Sequence, residues 1–171
     1  MLSRGGVIRI IVCILLGSPL AIEAAQIEGR VIGISDGDTI TLLNDNNQQH
    51  KIRLSGIDAP ESRQPFGQAS KRNLSKMIFD REVVAACGKT DKYRRLVCKV
   101  MIHGVDANIE QIKAGMAWWY RKYAREQSLS DQDNYAAAEE LARSASKGLW
   151  NDPNPIAPWE WRKQQVSNDH R

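Results

Sequence analysis

The chain has 171 residues, enough to bury one hydrophobic core and too few for two. Its formal charge is +4, from 24 Lys and Arg against 20 Asp and Glu. This mild basic excess favours a polyanionic partner, although on charge alone a soluble protein that happens to be basic fits equally well.

Residues 1–24 do not read as part of a fold. Arg4 and Arg9 lead into the apolar run Ile10 to Leu16, then Gly17, Ser18 and Pro19, with small residues at Ala21, Ala24 and Ala25. This is the three-part pattern of a secretory signal cleaved after Ala24, which predicts a secreted or periplasmic protein without stable membrane association. The run is short for a membrane span, and an uncleaved anchor is the alternative. Cys13 follows Val12 instead of a small residue, which argues against a lipoprotein.

Alternating apolar residues then predict strands at Ile27–Ile34, Thr39–Leu43 and His50–Ile57, joined by turns at Asp36-Gly37 and Asn44–Gln49. A helix is expected from Pro65 to Phe79, with Ala69, Leu74, Met77 and Ile78 on its apolar face. Two more strands, Glu82–Cys87 and Leu96–Ile102, flank the polar segment Gly88–Arg95. Their cysteines, Cys87 and Cys98, are the two that remain after signal removal. An exported hairpin favours a disulfide between them over two separate buried thiols. A second helix is expected from Ala107 to Ala114, capped by Asp106 and ended by Gly115. A third should run from Ser130 to Ser146, with a capping box at Ser130–Asp133 and a buried stripe of Ala138, Leu141, Ala142, Ala145 and Leu149. The tail from Asn151 is broken by prolines, should pack its tryptophans back on the domain, and is expected to be disordered past Lys163. The organisation is therefore a signal (1–24), a domain (25–150) and an extension (151–171). Five short strands with helices inserted after the third suit a small Greek-key barrel of the OB type, and leave other α+β arrangements open.

Chemistry concentrates between Ile52 and Glu61. Arg53 and Leu54 lie in a strand, Gly56 allows a bend, and Pro60 stops sheet pairing, so one guanidinium and two carboxylates, Asp58 and Glu61, are delivered within ten residues. Alone, Asp36-Gly37-Asp38 is most simply a hairpin turn. Beside Asp58 and Glu61 it becomes part of a hard-oxygen cluster, which suits Ca²⁺ or Mg²⁺ and not zinc. Arg53 alone could equally be a strand arginine paired with Glu61, and Arg95 alone reads as part of a solvated charged turn.

Three blocks, Asp36-Gly37-Asp38-Thr39, Arg53-Leu54 with Asp58-Ala59-Pro60-Glu61, and Asp91-Lys92-Tyr93-Arg94-Arg95, together resemble the staphylococcal-nuclease family in order and spacing, over roughly residues 26–150. The resemblance implies an α+β fold, a five-stranded OB-type Greek-key barrel with about three helices. It further implies a single Ca²⁺ held by Asp38, Asp58 and the main-chain carbonyl of Ala59. Glu61 becomes the candidate general base, with Arg53 and Arg95 as phosphate-binding catalytic residues. Lys92 and Tyr93 fall at nucleotide-contact positions, and Tyr120 and Tyr123 near positions where the family places tyrosines. The neighbouring Trp118 and Trp119 offer further base-stacking platforms, with filling of the core the equal alternative for one of the pair. The family has glycine where this chain has Arg94, so the phosphate-binding arginine is ambiguous by one residue. The implied activity is a Ca²⁺-dependent nuclease of low sequence specificity, cutting single-stranded or frayed DNA, with RNA as a further substrate, to 3′-phosphate ends. The signal pattern makes it an exported one, and a single domain of this type is expected to be a monomer. A non-catalytic OB-type nucleic-acid-binding module and a secreted Ca²⁺-binding structural protein are the alternatives.

Overall fold

The computed structural model describes residues 25–169, so the expected signal segment lies outside the described residues. Strands β1 (Ala25–Ile34), β2 (Thr39–Leu43), β3 (Gln49–Leu54), β5 (Glu82–Thr90) and β6 (Leu96–Ile102) form a closed barrel. Hydrogen bonding runs β3-β2-β1-β5-β6, and β6 pairs in parallel with β3 through Ile52↔Leu96, Arg53↔Val97 and Leu54↔Cys98. Two-residue strands β4 (Ile57–Asp58) and β8 (Trp118–Trp119) pair with each other outside it, and β7 (Val105–Asp106) extends the main sheet beyond β6.

Alternation decides which residues face inward. Ile40 and Leu42 on β2, Ile52 and Leu54 on β3, Val83 and Ala85 on β5, and Cys98 and Val100 on β6 are all buried in one core. Each buried Val, Leu or Ile among them contributes on the order of 1.5–3 kcal/mol of burial. Arg53, between Ile52 and Leu54, must therefore point out of the barrel. Cys87 and Cys98 face each other across β5 and β6 and are joined by a disulfide.

Helix α1 (Gly67–Ile78) starts two residues later than expected, because Phe66 adopts a left-handed conformation (φ 65°) that holds the preceding turn outside the helix. Its buried residues are Gly67, Ser70, Leu74 and Ile78, while Ala69 and Met77 are only partly covered. Helix α2 (Ala107–Lys113) is capped by Asp106, whose carboxylate accepts from the amides of Asn108 and Ile109. Gly115 follows at φ +64°, and a Cβ there would lie 2.1 Å from the Lys147 carbonyl.

Helix α3 (Leu129–Ser144) differs from the expected one in cap and in phase. Ser128, not Ser130, is the N-cap, accepting from the Asp131 amide. The buried stripe is Tyr135, Ala138, Glu139 and Ala142, with Leu141 69% exposed and Ala145 also exposed. The apolar pattern misplaces the face because the inward position one turn above Tyr135 is held by a charged residue. Glu139 accepts from the Trp119 amide and pairs with Arg121 at 2.6 Å. Finally, helix α4 (Pro158–Asp169) occupies the tail expected to be disordered past Lys163. Pro158 at its first position pre-sets the helical φ, and no glycine or proline follows within it. No helix of the described residues is long and apolar enough to cross a membrane.

Candidate active site

The acidic turn between β1 and β2 is held from three sides. The Asp36 carboxylate accepts from the Asp38 amide, the Leu54 amide donates to the Asp38 carbonyl, and the buried Gln111 of α2 donates to the Gly37 carbonyl at 2.7 Å. Gly37 is required here by close approach, since a Cβ would lie 1.8 Å from Ser70 Oγ on α1. Asp38 thereby points at the open end of β3. Asp58 arrives from the other direction, fixed by the β4–β8 pairing that sets it opposite Trp118.

Arg53 lies between the two. Its guanidinium is 2.6 Å from Asp38 Oδ2 and 2.7 Å from Asp58 Oδ1, so both carboxylates converge on one point. Asp38 Oδ2 also accepts from the Ala59 amide at 2.8 Å, and Oδ1 from Thr39 Oγ1 at 2.9 Å. Burial pushes the Asp38 carboxyl up to about 7, against the pull of Arg53, with Asp36 and Asp58 adding to the rise. Arg53 is held above its ordinary value: burial opposes its charge, but the Asp38 and Asp58 carboxylates outweigh that cost.

Arg95 reaches the same cleft from the start of β6. Thr39 Oγ1 accepts from its Nη1 at 3.3 Å, linking it to Asp38 through one hydroxyl. Asp91 holds the other side of the guanidinium, with Nε and Nη2 each 2.8 Å from Oδ2. Burial raises the Asp91 carboxyl, but the amide and guanidinium of Arg95 and the amide of Tyr93 outweigh it and leave the group below the usual carboxylate range. Arg94 is exposed at φ 62°, while Arg95 is half-buried and faces the acids.

These groups line a cleft of about 810 Å³, which also takes in Glu61, Lys92, Tyr93, Tyr120 and Tyr123. Lys92 and Arg95 both lie over the Tyr93 ring, at 4.9 and 5.3 Å. Tyr123 is 39% exposed with Lys89 over its ring, whereas Tyr120 has one face covered by a stacked Trp159 at 5.4 Å. Trp118 is buried; Trp119 is half-covered, its indole N–H bonded to Gln127.

The sequence reading missed Arg162. From α4 its guanidinium bonds Asp58 Oδ2 at 2.8 Å and Glu61 Oε1 at 2.7 Å. Glu61 therefore pairs with Arg162, and Arg53 pairs with the aspartates. The legible signal was Trp159 and Arg162 spaced three apart after a proline, which puts both on one face of a helix.

As a cation site, the donors present are hard oxygens on convergent buried carboxylates, Asp38 and Asp58, that line a polar cleft. That chemistry fits a hydrated divalent ion such as Ca²⁺. No group of three or more His, Cys, Asp or Glu side chains suited to a metal occurs among the described residues. The two aspartates are thus the charged ligands on offer, with main-chain oxygen and water to complete a shell.

A small closed OB-type barrel whose rim gathers Asp38, Asp58 and Glu61 with Arg53, Arg95 and Arg162 in one cleft has the carboxylates and guanidinium groups that an enzyme acting on phosphodiesters needs. The profile of the family described as Staphylococcal nuclease homologue matches residues 51–152, and the chain belongs to that family. It is 42% identical to a Haemophilus influenzae protein named as an endonuclease, over 81% of this chain and 75% of that one. Identity to the micrococcal nuclease of Shigella flexneri is 36%, covering 81% of this chain and 82% of the relative. Protein ParB of Escherichia coli is 36% identical over 86% and 84% of the two chains. The chain is accordingly a nuclease.

Proposed function

We propose that this nuclease is exported and Ca²⁺-dependent, and that it cuts DNA, and RNA as a further substrate, with low sequence specificity to leave 3′-phosphate ends. The observation that carries the reading is the Arg53 bridge, which brings Asp38 and Asp58 to one point beside Arg95. Ca²⁺ held by Asp38, Asp58 and the Ala59 carbonyl would supply charge neutralisation on the phosphoryl oxygens. Arg53 and Arg95 grip the scissile phosphate and stabilise the charge that grows on its equatorial oxygens. Arginine suits this because its planar fork donates paired hydrogen bonds and keeps its proton. Glu61 takes a proton from the attacking water as its oxygen bonds to phosphorus. The bond from phosphorus to the 5′ oxygen breaks, that oxygen takes a proton from solvent water, and the phosphate stays on the 3′ side.

Lys92 and Tyr93 hold the neighbouring nucleotide. Tyr123, with its exposed ring, offers a base-stacking platform that does not discriminate among bases. Tyr120, covered on one face, contributes at most its other face.

The test is degradation of single-stranded DNA by the chain without residues 1–24, in Ca²⁺ and in chelator, with Glu61→Ala and Arg95→Ala alongside. Chelator-sensitive cutting, lowered at least about a hundredfold by either substitution, is expected. Tight binding without cutting would instead identify a nucleic-acid-binding module.

A further inference from the structure

Arg162 has no part in the chemistry above, yet it touches two of the acids that do. Among the described residues, no other side chain bonds the Glu61 carboxylate. Glu61 stands on a loop, 39% exposed, on a side chain that would otherwise sample several rotamers. Arg162 Nη1 takes Oε1 at 2.7 Å and leaves Oε2 free. The same guanidinium bonds Asp58, which is 1% exposed and fixed by strand pairing, so Glu61 is referred to a rigid point.

The helix that carries Arg162 is anchored for this purpose by contacts of its own. Trp159 stacks on Tyr120 and meets the edge of Trp118 at 6.4 Å, and Pro158 is buried. Gln64, 6% exposed, ties the two segments together: its Oε1 accepts from the Glu61 amide at 3.1 Å and its Nε2 donates to the Ile156 carbonyl at 2.5 Å. The tail is thus bonded to the Glu61 loop twice, by backbone through Gln64 and by side chain through Arg162.

We propose that Arg162 is a positioning residue for catalysis, holding the Glu61 carboxylate at the angle from which it takes the water proton. The segment after residue 152, beyond the family profile match, is then a working wall of the active site. This rests on the nuclease reading with Glu61 as base.

The test uses the chain without residues 1–24, single-stranded DNA and saturating Ca²⁺. Arg162→Ala should lower kcat about 10- to 100-fold, as misplacing a catalytic group by an ångström does, with KM within about threefold. Arg162→Lys should recover only part, since an ammonium cannot span two carboxylates in one plane. Millimolar guanidinium should raise the rate of Arg162→Ala and leave the parent unchanged. In a Glu61→Ala background, Arg162→Ala should cost little more, because both act through one group. Arg162→Gln, closer in shape, and thermal unfolding of each variant separate lost positioning from a lost fold. Parent-like kcat in Arg162→Ala, a loss confined to KM, a loss matched by unfolding, or a full further loss without Glu61 would each overturn the proposal. A parent chain that does not cut would overturn the nuclease reading as well.

Discussion

Arg53→Ala removes the guanidinium between Asp38 and Asp58. Asp58 keeps Arg162, so the charge stranded is that of Asp38, whose side chain is 8% exposed. Removing one partner of a buried pair costs about 3–5 kcal/mol. For a domain of this size that is about 6–20 °C in Tm, at roughly 2–4 °C per kcal/mol. Because burial already holds the Asp38 carboxyl up to about 7, it can take a proton when left alone, so the deficit should be smaller at pH 6 than at pH 8. A divalent ion can replace the missing positive charge. At a hundred times its Kd it contributes about 2.7 kcal/mol, and the variant should gain more from it than the parent, in which Arg53 occupies the same oxygens. Unfolding of both proteins, in chelator and in Ca²⁺, measures all of this. A deficit under about 1 kcal/mol, or one identical with and without Ca²⁺, would refute a shared site for the ion and the guanidinium.

Cation binding should fall as pH drops through about 7, where Asp38 takes up its proton, which isothermal titration of Ca²⁺ between pH 5.5 and 8.5 would follow. The same group holds a proton in the folded state between its ordinary value of 3.8 and about 7; its contribution to stability without Ca²⁺ therefore declines as pH rises through that window. Gly37→Ala drives a methyl into Ser70 and should cost about 1–3 kcal/mol by denaturant unfolding, with a larger loss of activity because Asp38 is the next residue. Arg94→Gly should raise stability by up to about 1–2 kcal/mol, by relieving a left-handed arginine, while leaving Arg95 bonded to Asp91.

The barrel was legible because its strands obey a period of two on either side of a single core. Ile40, Leu42, Ile52, Leu54, Val83 and Val100 are apolar and buried, and no inward polar residue interrupts them. Helix α3 was legible in existence but not in phase. A pattern of apolar spacing cannot nominate Glu139, which is buried because it serves the Trp119 amide and Arg121. Gln111 and Asn108 are hidden from the same reading. Each is a fully buried amide, satisfied by carbonyls distant in sequence: those of Gly37 and Ser70 for Gln111, and those of Ser55 and Cys98 for Asn108.

In the site, what could be read was what lies close along the chain or along a strand pair. Thr39 and Arg53 are direct partners across β2 and β3, and Arg53 is opposite Val97, two residues beyond Arg95. Short-range spacing therefore carries real information about how Asp38, Arg53 and Arg95 are placed. Arg162 is separated from Asp58 by 104 positions and reaches it only because α4 docks on Tyr120 and Trp118. No local rule ties it there, and the prolines before it argue for a loose tail. The tail's two aromatic contacts and its Gln64 bond offset the entropy of ordering it, and they place one guanidinium within hydrogen-bond reach of both Asp58 and Glu61. A helix that merely covered Tyr120 would need no arginine on that face, so the docking contacts and Arg162 are best understood as one device.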